Sequence, residues 1–290
     1  MSESTSGVPP MVWSAVSSPE TRQRLATDGF AVVQLLTPDE LDAVAAAHER
    51  LARASDEGLT IDYMRVDRTI MARVRTEVLP LVTGPLDAVF DRPRVIMATF
   101  VTKHPGPASE MFLHEDRVFV DERRHRAITA WIPLVPTGSA TGNGALQVVP
   151  ASHRLPTGPS GSNTADAIRP FEADLRRRLV TLDVPAGSAV VYDTRLVHAS
   201  TPNLTSQART AFVCVVIPAD AVPVHVVAAP DGTLRLHEVD ESFYVDLHPR
   251  QVEREVPDRY PCIETLEAAA PLTSTAVDRV LARLHSPRGG

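Results

Sequence analysis

Sulfur is scarce in this chain. Its two cysteines, Cys214 inside an apolar run and Cys262 near the C-terminal end, give neither a disulfide framework nor zinc-ligand spacing. Such usage fits a reducing compartment, and the cytoplasm is the expectation. No apolar stretch reaches the roughly eighteen residues of a membrane span. The first 17 residues also lack the basic and apolar regions of an export signal. Long basic runs are missing too, and the formal net charge is -7, which argues against nucleic acid or an anionic membrane as partner. Lysine occurs once, as Lys103, in a chain otherwise rich in arginine, and coding bias accounts for that. Nothing in the chain speaks to oligomeric state.

What remains is ample material for a core. With 290 residues and 43% hydrophobic composition the chain reads as one domain. Its expected parts are a disordered lead over 1–17, a helical part over 18–93, a β core over 94–220 and a C-terminal extension over 221–290.

Taken in order, Ser18-Pro19-Glu20 opens a helix with a capping side chain and Pro in the first turn, and Gly29 ends it. A short strand follows over 30–36. Thr37 and Glu40 have the spacing of a capping box, starting a second helix that continues to residue 54. His48 lies in its apolar stripe and reads as a core residue. A third helix is expected over 70–81, preceded by Tyr63, Arg65 and Arg68, which are placed to reach a substrate but read first as solvated surface, the commoner fate of such residues.

From Arg94 onward the period becomes that of strands. Runs over 95–102, 127–135, 146–149, 180–184, 189–192, 210–217, 224–227 and 234–239 are separated by Gly and Pro turns. That predicts a mainly β protein with flanking helices, its core a double-stranded β-helix, or jelly roll.

Within it, Leu113-His114-Glu115-Asp116 places an imidazole and a carboxylate two residues apart. On a strand those two side chains share a face and Glu115 points away. Alone, the pair equally describes a surface His beside an Asp on an edge strand. His198, far along the chain, would complete two His and one carboxylate, the facial triad of non-haem Fe(II) sites that activate O2. Arg209 opens the next apolar run. If its strand neighbours that of His198, its fork can grip a carboxylate in the same cavity, suggesting an anionic co-substrate such as 2-oxoglutarate.

The order and spacing of these elements resemble the phytanoyl-CoA dioxygenase family of Fe(II)/2-oxoglutarate oxygenases over about residues 30–220. The matching elements are His114 and Asp116, then Trp131 on an alternating strand, then the stretch from Asn143 to His153. Pro185 to Gly187 and His198, Ser200 and Arg209 follow. Leu113 stands where many members have an aromatic, and Ala151 replaces the usual Gly before Ser152-His153.

The resemblance implies a metal site of His114, Asp116 and His198 and a 2-oxoglutarate site of Arg209, Ser200 and Trp131. It further implies an enzyme with Fe(II), 2-oxoglutarate and O2 that hydroxylates an unactivated C–H bond of a small molecule. Natural-product or amino-acid tailoring is the expected setting. An acyl-CoA hydroxylase is the alternative, and it would need clustered cations at the cavity mouth. The nearest such group, Arg123, Arg124 and Arg126, follows Asp121 and Glu122 and reads as a solvated loop. A halogenase is disfavoured because Asp116 is present, and a non-catalytic jelly-roll binding or sensor protein would not need the triad. His153 and Asp193 read as structural.

Overall fold

The computed structural model describes residues 16–51, 57–161, 163–247, 249, 256 and 258–282. Helix α1 (Pro19–Asp28) starts with the Thr21 N–H donating to Ser18 Oγ at 3.3 Å and stops where Gly29 turns left-handed, φ 85°. Strand β1 (Phe30–Gln34) leads to α2 (Pro38–Arg50), whose capping box between Thr37 and Glu40 is complete. That helix ends at Arg50, short of the expected 54, and residues 52–56 lie outside the described residues. The lead also contributes more than expected at its end. Val16 is buried and bridges to Phe90, while residues 1–15 lie outside the described residues.

After β2 (Leu59–Ile61), a helical run over residues 69–89 exceeds the expected 70–81. It passes through one wide turn at Val74–Val78 and tolerates Pro85 in its interior. Packing holds it through these breakers, because Val74, Val78, Val82 and Leu86 are all fully buried. His48 packs edge-on against Phe100, ring centroids 4.6 Å apart, as a core His does.

The remaining strands are β3 (Pro93–Lys103), β4 (Met111–His114), β5 (Ile128–Pro133), β6 (Leu146–Val148), β7 (Val180–Thr181), β8 (Ser188–Asp193), β9 (His198–Ser200) and β10 (Arg209–Pro218). They form a six-stranded sheet in the order β1-β8-β5-β10-β3-β2 and a four-stranded sheet β4-β9-β6-β7. Alternation along the larger sheet decides what each face does. Ile128, Ala130 and Ile132 of β5, with Phe212 and Cys214 of β10, pack under the helices. Trp131, Tyr192, Ala211 and Val213 point the other way and meet Leu146 and Val148 of the smaller sheet. The double-sheet jelly-roll core expected from the strand pattern is present, as two facing sheets.

The extension carries a third, three-stranded sheet of β11 (Val224–Ala228), β12 (Leu234–Glu238) and β13 (Cys262–Leu266). Between β6 and β7 a strap, described over residues 157–161 and 163–167, crosses toward it. Asn163 ties that strap to β11 twice: its Nδ2 donates to Ala228 O at 3.0 Å, and its Oδ1 accepts from Ala228 N at 2.8 Å.

Candidate functional site

His114 and His198 are register partners across β4 and β9. Between Met111 and His114 two residues of β4, Phe112 and Leu113, oppose one of β9, Ala199, a bulge of the kind that re-aims a side chain beside a site. Asp116 lies beyond the end of β4, so strand alternation does not govern it. Its N–H donates to Thr194 O at 2.9 Å instead. The ligand-type atoms of His114, Asp116 and His198 all lie within 4.8 Å of one another. Each His Nε2 stands 3.9 Å from Asp116 Oδ1.

Neighbouring groups set the orientation of all three. His114 Nδ1 contacts Phe112 O at 2.9 Å and His198 Nδ1 contacts Leu196 O at 2.8 Å, which places the protons on Nδ1 and leaves both Nε2 lone pairs for a metal. Thr129 donates to Asp116 Oδ2 at 2.7 Å, leaving Oδ1 toward the imidazoles. Burial and the adjacent His198 press His114 down to about 4, so it stays neutral despite Asp116. The Tyr192 hydroxyl is 3.4 Å from His198 Nε2, and burial with the nearby Asp116 carboxylate keeps that phenol protonated.

The cluster opens into a cavity of about 570 Å3 between the sheets, with Trp131 and Ser200 also on its wall. Arg209 is not on that surface. Its strand belongs to the larger sheet and His198 to the smaller, so the two strands face each other and are not neighbours. Arg209 lies behind the wall, 2% exposed, its guanidinium 5.3 Å over the Trp131 ring. Nε donates to Asn143 O at 3.3 Å and Nη2 to Gly144 O, while Nη1 has no partner.

Lys103, which composition alone left without a role, is the register partner of Arg209 and fully buried. Its ammonium donates to Ser109 O and, at 3.5 Å, to Ser200 O. Burial and Arg209 push it down to about 7. Neither cation forms a salt bridge among the described residues, and a side chain at Gly144 would collide with Lys103 and crowd Arg209. Two adjacent buried cations, one with an unpartnered donor, suit an anionic co-substrate. A lone lysine closing a largely apolar strand is the available sequence signal.

Three further placements correct the sequence expectations. Glu115 does not turn away: it borders the cavity, accepts from Thr157 Oγ1 at 3.1 Å, and burial pushes its carboxyl up to about 8. Tyr63 and Arg68 are not solvated surface. Tyr63 lines the cavity, and Arg68 donates to Tyr63 O, Tyr244 O and Val245 O at 2.8, 2.6 and 2.9 Å. Arg65 is half-buried and bonded to Asp62 at 3.0 Å. Asp193 is buried away from the cluster, its Oδ1 accepting from Arg195 N, and His153 sits under Gly29. The departure at Ala151 now has a conformation: φ 63° and ψ 0°, the left-handed region where Gly costs nothing. The strap is stitched to the metal loop, since Ser160 Oγ donates to Asp116 O at 3.1 Å and Val118 N to Ser160 O at 3.0 Å.

Comparison with known proteins agrees with this geometry. Phytanoyl-CoA dioxygenase from Arabidopsis thaliana is 27% identical over 159 residues, 54% of each chain, so that match spans about half the length of the relative. Ectoine dioxygenase from Nocardia farcinica is 27% identical over 239 residues, 69% of this chain and 78% of that one. The epimerase SnoN, solved with Fe3+, alpha ketoglutarate and nogalamycin RO, shares the fold at 22% identity and TM-score 0.52 over 89% of this chain and 96% of its own. The family model for phytanoyl-CoA dioxygenase (PhyH) matches residues 25–211, more than half of the chain and all of the cluster, and the chain therefore belongs to the phytanoyl-CoA dioxygenase family.

Proposed function

We propose that this chain is an Fe(II)- and 2-oxoglutarate-dependent oxygenase that hydroxylates an unactivated C–H bond of a small molecule, in natural-product or amino-acid tailoring. The observation that carries it is the pairing of His114, Asp116 and His198 at one cavity with the sealed, unpaired cations Arg209 and Lys103 behind its wall. His114, Asp116 and His198 would hold the iron. Arg209, with Ser200 and Trp131, would hold 2-oxoglutarate, with Lys103 adding positive charge. When bound, these groups supply O2 activation coupled to oxidative decarboxylation of the oxo-acid to succinate. The protein's own part is positioning. Thr129 fixes the Asp116 carboxylate, the Nδ1 contacts fix both imidazoles, and apolar residues such as Met97, Val101, Phe119 and Val213 keep water from the substrate.

An acyl-CoA thioester fits less well. In the arginine cluster, Arg123 is engaged by Asp121 at 2.7 Å and by Glu264, and Arg124, the most exposed of the three, has its Nε 3.7 Å from the same Asp121. Arg126 is buried, its Nη1 3.9 Å from Glu122. Arg117 is the only cation among the cavity-lining residues.

The test measures O2-dependent succinate formation by the Fe(II)-loaded protein, with and without a panel of small-molecule substrates, beside anaerobic 2-oxoglutarate titration followed by the metal-to-ligand absorption band. One iron per chain is expected, lost in His198→Ala. Arg209→Ala should keep iron and weaken 2-oxoglutarate by roughly ten- to a few hundredfold, the value of a desolvated carboxylate pair. Succinate formation that survives His198→Ala overturns the metal assignment, and unchanged 2-oxoglutarate affinity in Arg209→Ala moves the co-substrate elsewhere.

A further inference from the structure

Arg117 borders the cavity, and among the described residues its guanidinium has no hydrogen-bond or ion-pair partner, Nη1 being sealed from solvent. Two other polar atoms of the same wall share that condition, the hydroxyls of Tyr63 and Tyr244. Both tyrosines are at least nine-tenths buried, 9% and 2% exposed, and their rings stand 6.0 Å apart. Sealed donors without acceptors destabilise a fold, and native structures keep few of them. Three in one cavity wall call for a ligand that answers them.

This corner is held in place from behind. Arg68 bonds the carbonyls of residues 63 and 244, which lie far apart in sequence, and Tyr63 N donates to Thr99 Oγ1 at 3.0 Å. Arg117 lies close enough to bear electrostatically on both phenols, yet burial dominates and keeps them above their ordinary range, so each is a donor at neutral pH. The other charged groups at the cavity are otherwise engaged. Glu115 accepts from Thr157 and Asp166 Oδ1 accepts from Ile168 N at 3.0 Å, and neither bonds Arg117.

We propose that Arg117, Tyr63 and Tyr244 form a substrate-reading subsite for a single carboxylate carried on a mainly apolar skeleton, which it anchors while the skeleton's C–H bond faces the metal cluster. One guanidinium fork matches one carboxylate, and the phenols add two donors to its oxygens. Among the described residues no second cation lines the cavity, and the Asp166 carboxyl borders it, so a dianion such as a phosphate monoester is disfavoured. Apolar side chains, among them Ile61, Met64, Met97 and Phe119, suit the rest of such a molecule.

The inference rests on the oxygenase reading for its metal but is tested by binding alone. Anaerobic Fe(II) protein saturated with 2-oxoglutarate, so that Arg209 is occupied, is titrated with 1-naphthoate and with its neutral counterpart 1-naphthamide, following probe fluorescence. The acid should bind at least tenfold tighter than the amide. Arg117→Met should erase that preference, and the double variant Tyr63→Phe, Tyr244→Phe should weaken the acid severalfold while leaving the amide within twofold. Equal affinities for acid and amide in the parent chain overturn the subsite without reference to any variant, as does a preference that survives in Arg117→Met. A chain that prefers the acid but releases no succinate fails only the oxygenase reading, and one that releases succinate without the preference fails only this one.

Discussion

At the scale of single residues, the spacing of His114, Asp116 and His198 reached the metal cluster as a ligand pattern, although the strand alternation assumed for the pair does not hold: β4 ends at His114, and Asp116 is placed by its bond to Thr194. Glu115, Lys103 and Arg117 left no such pattern. Each owes its position to a bulge, a register partner or a loop, and none of these is written in local periodicity. Thr129 is the clearest case of a supporting group. Its hydroxyl donates to Asp116 Oδ2 from β5 of the larger, facing sheet, and partners of this kind orient a ligand without touching the metal. Thr129→Val keeps the shape and removes the bond. Fe(II) affinity should fall roughly ten- to a hundredfold, with thermal stability of the metal-free protein little changed. An Fe(II) titration indistinguishable from the parent would show that Asp116 needs no such support.

At the scale of elements, strands and helix starts were legible and stopping points were less so. Alternation and Gly or Pro turns are local signals, and they located β3, β5, β8 and β10 to within a few residues. The helical run over 69–89 outlasted its breakers because buried Val82 and Leu86 hold it, a tertiary effect with no local signature. In the sheet of β11 to β13 the first two strands were legible, while β13 and the purpose of the sheet were not. Its contact with the strap supplies that purpose, since Ala228 takes both hydrogen bonds of Asn163. Asn163→Ala removes them from an exposed site, where each bond contributes modestly. Amide hydrogen exchange over residues 157–167 should accelerate roughly three- to tenfold, with the six-stranded sheet unaffected. Identical exchange in the strap would mean that its own turns hold it.

For the whole molecule, Asp193 provides a handle on pH. It is fully buried, Oδ2 has no partner, and burial, with Glu122 near, pushes its carboxyl up to about 7 against the pull of Arg126. The folded chain therefore keeps a proton that the unfolded chain releases near pH 4. Its contribution to stability is fully present below that pH and is lost as pH rises through about 7. Asp193→Asn lacks this dependence. Between pH 5 and 8 the parent should lose about 2–3 kcal/mol relative to the variant, read from paired denaturant melts. Parallel curves would show that Asp193 is ionised throughout.

The strap has a consequence for anyone who would retarget this protein. It forms part of the substrate wall, yet Ser160 bonds the Asp116 carbonyl and Thr157 bonds Glu115, so it is also mechanically joined to the loop that carries a metal ligand. Grafting a foreign strap to change the substrate would disturb the metal's carboxylate in the same stroke. Among the described residues the opposite wall, with Tyr63 and Tyr244 held by Arg68, makes no hydrogen bond to that loop and meets it only through rings, Phe119 against Tyr244 at 5.5 Å. Libraries that diversify this second wall can explore new substrates while the chemistry stays intact, and that makes it the more evolvable half of the cavity.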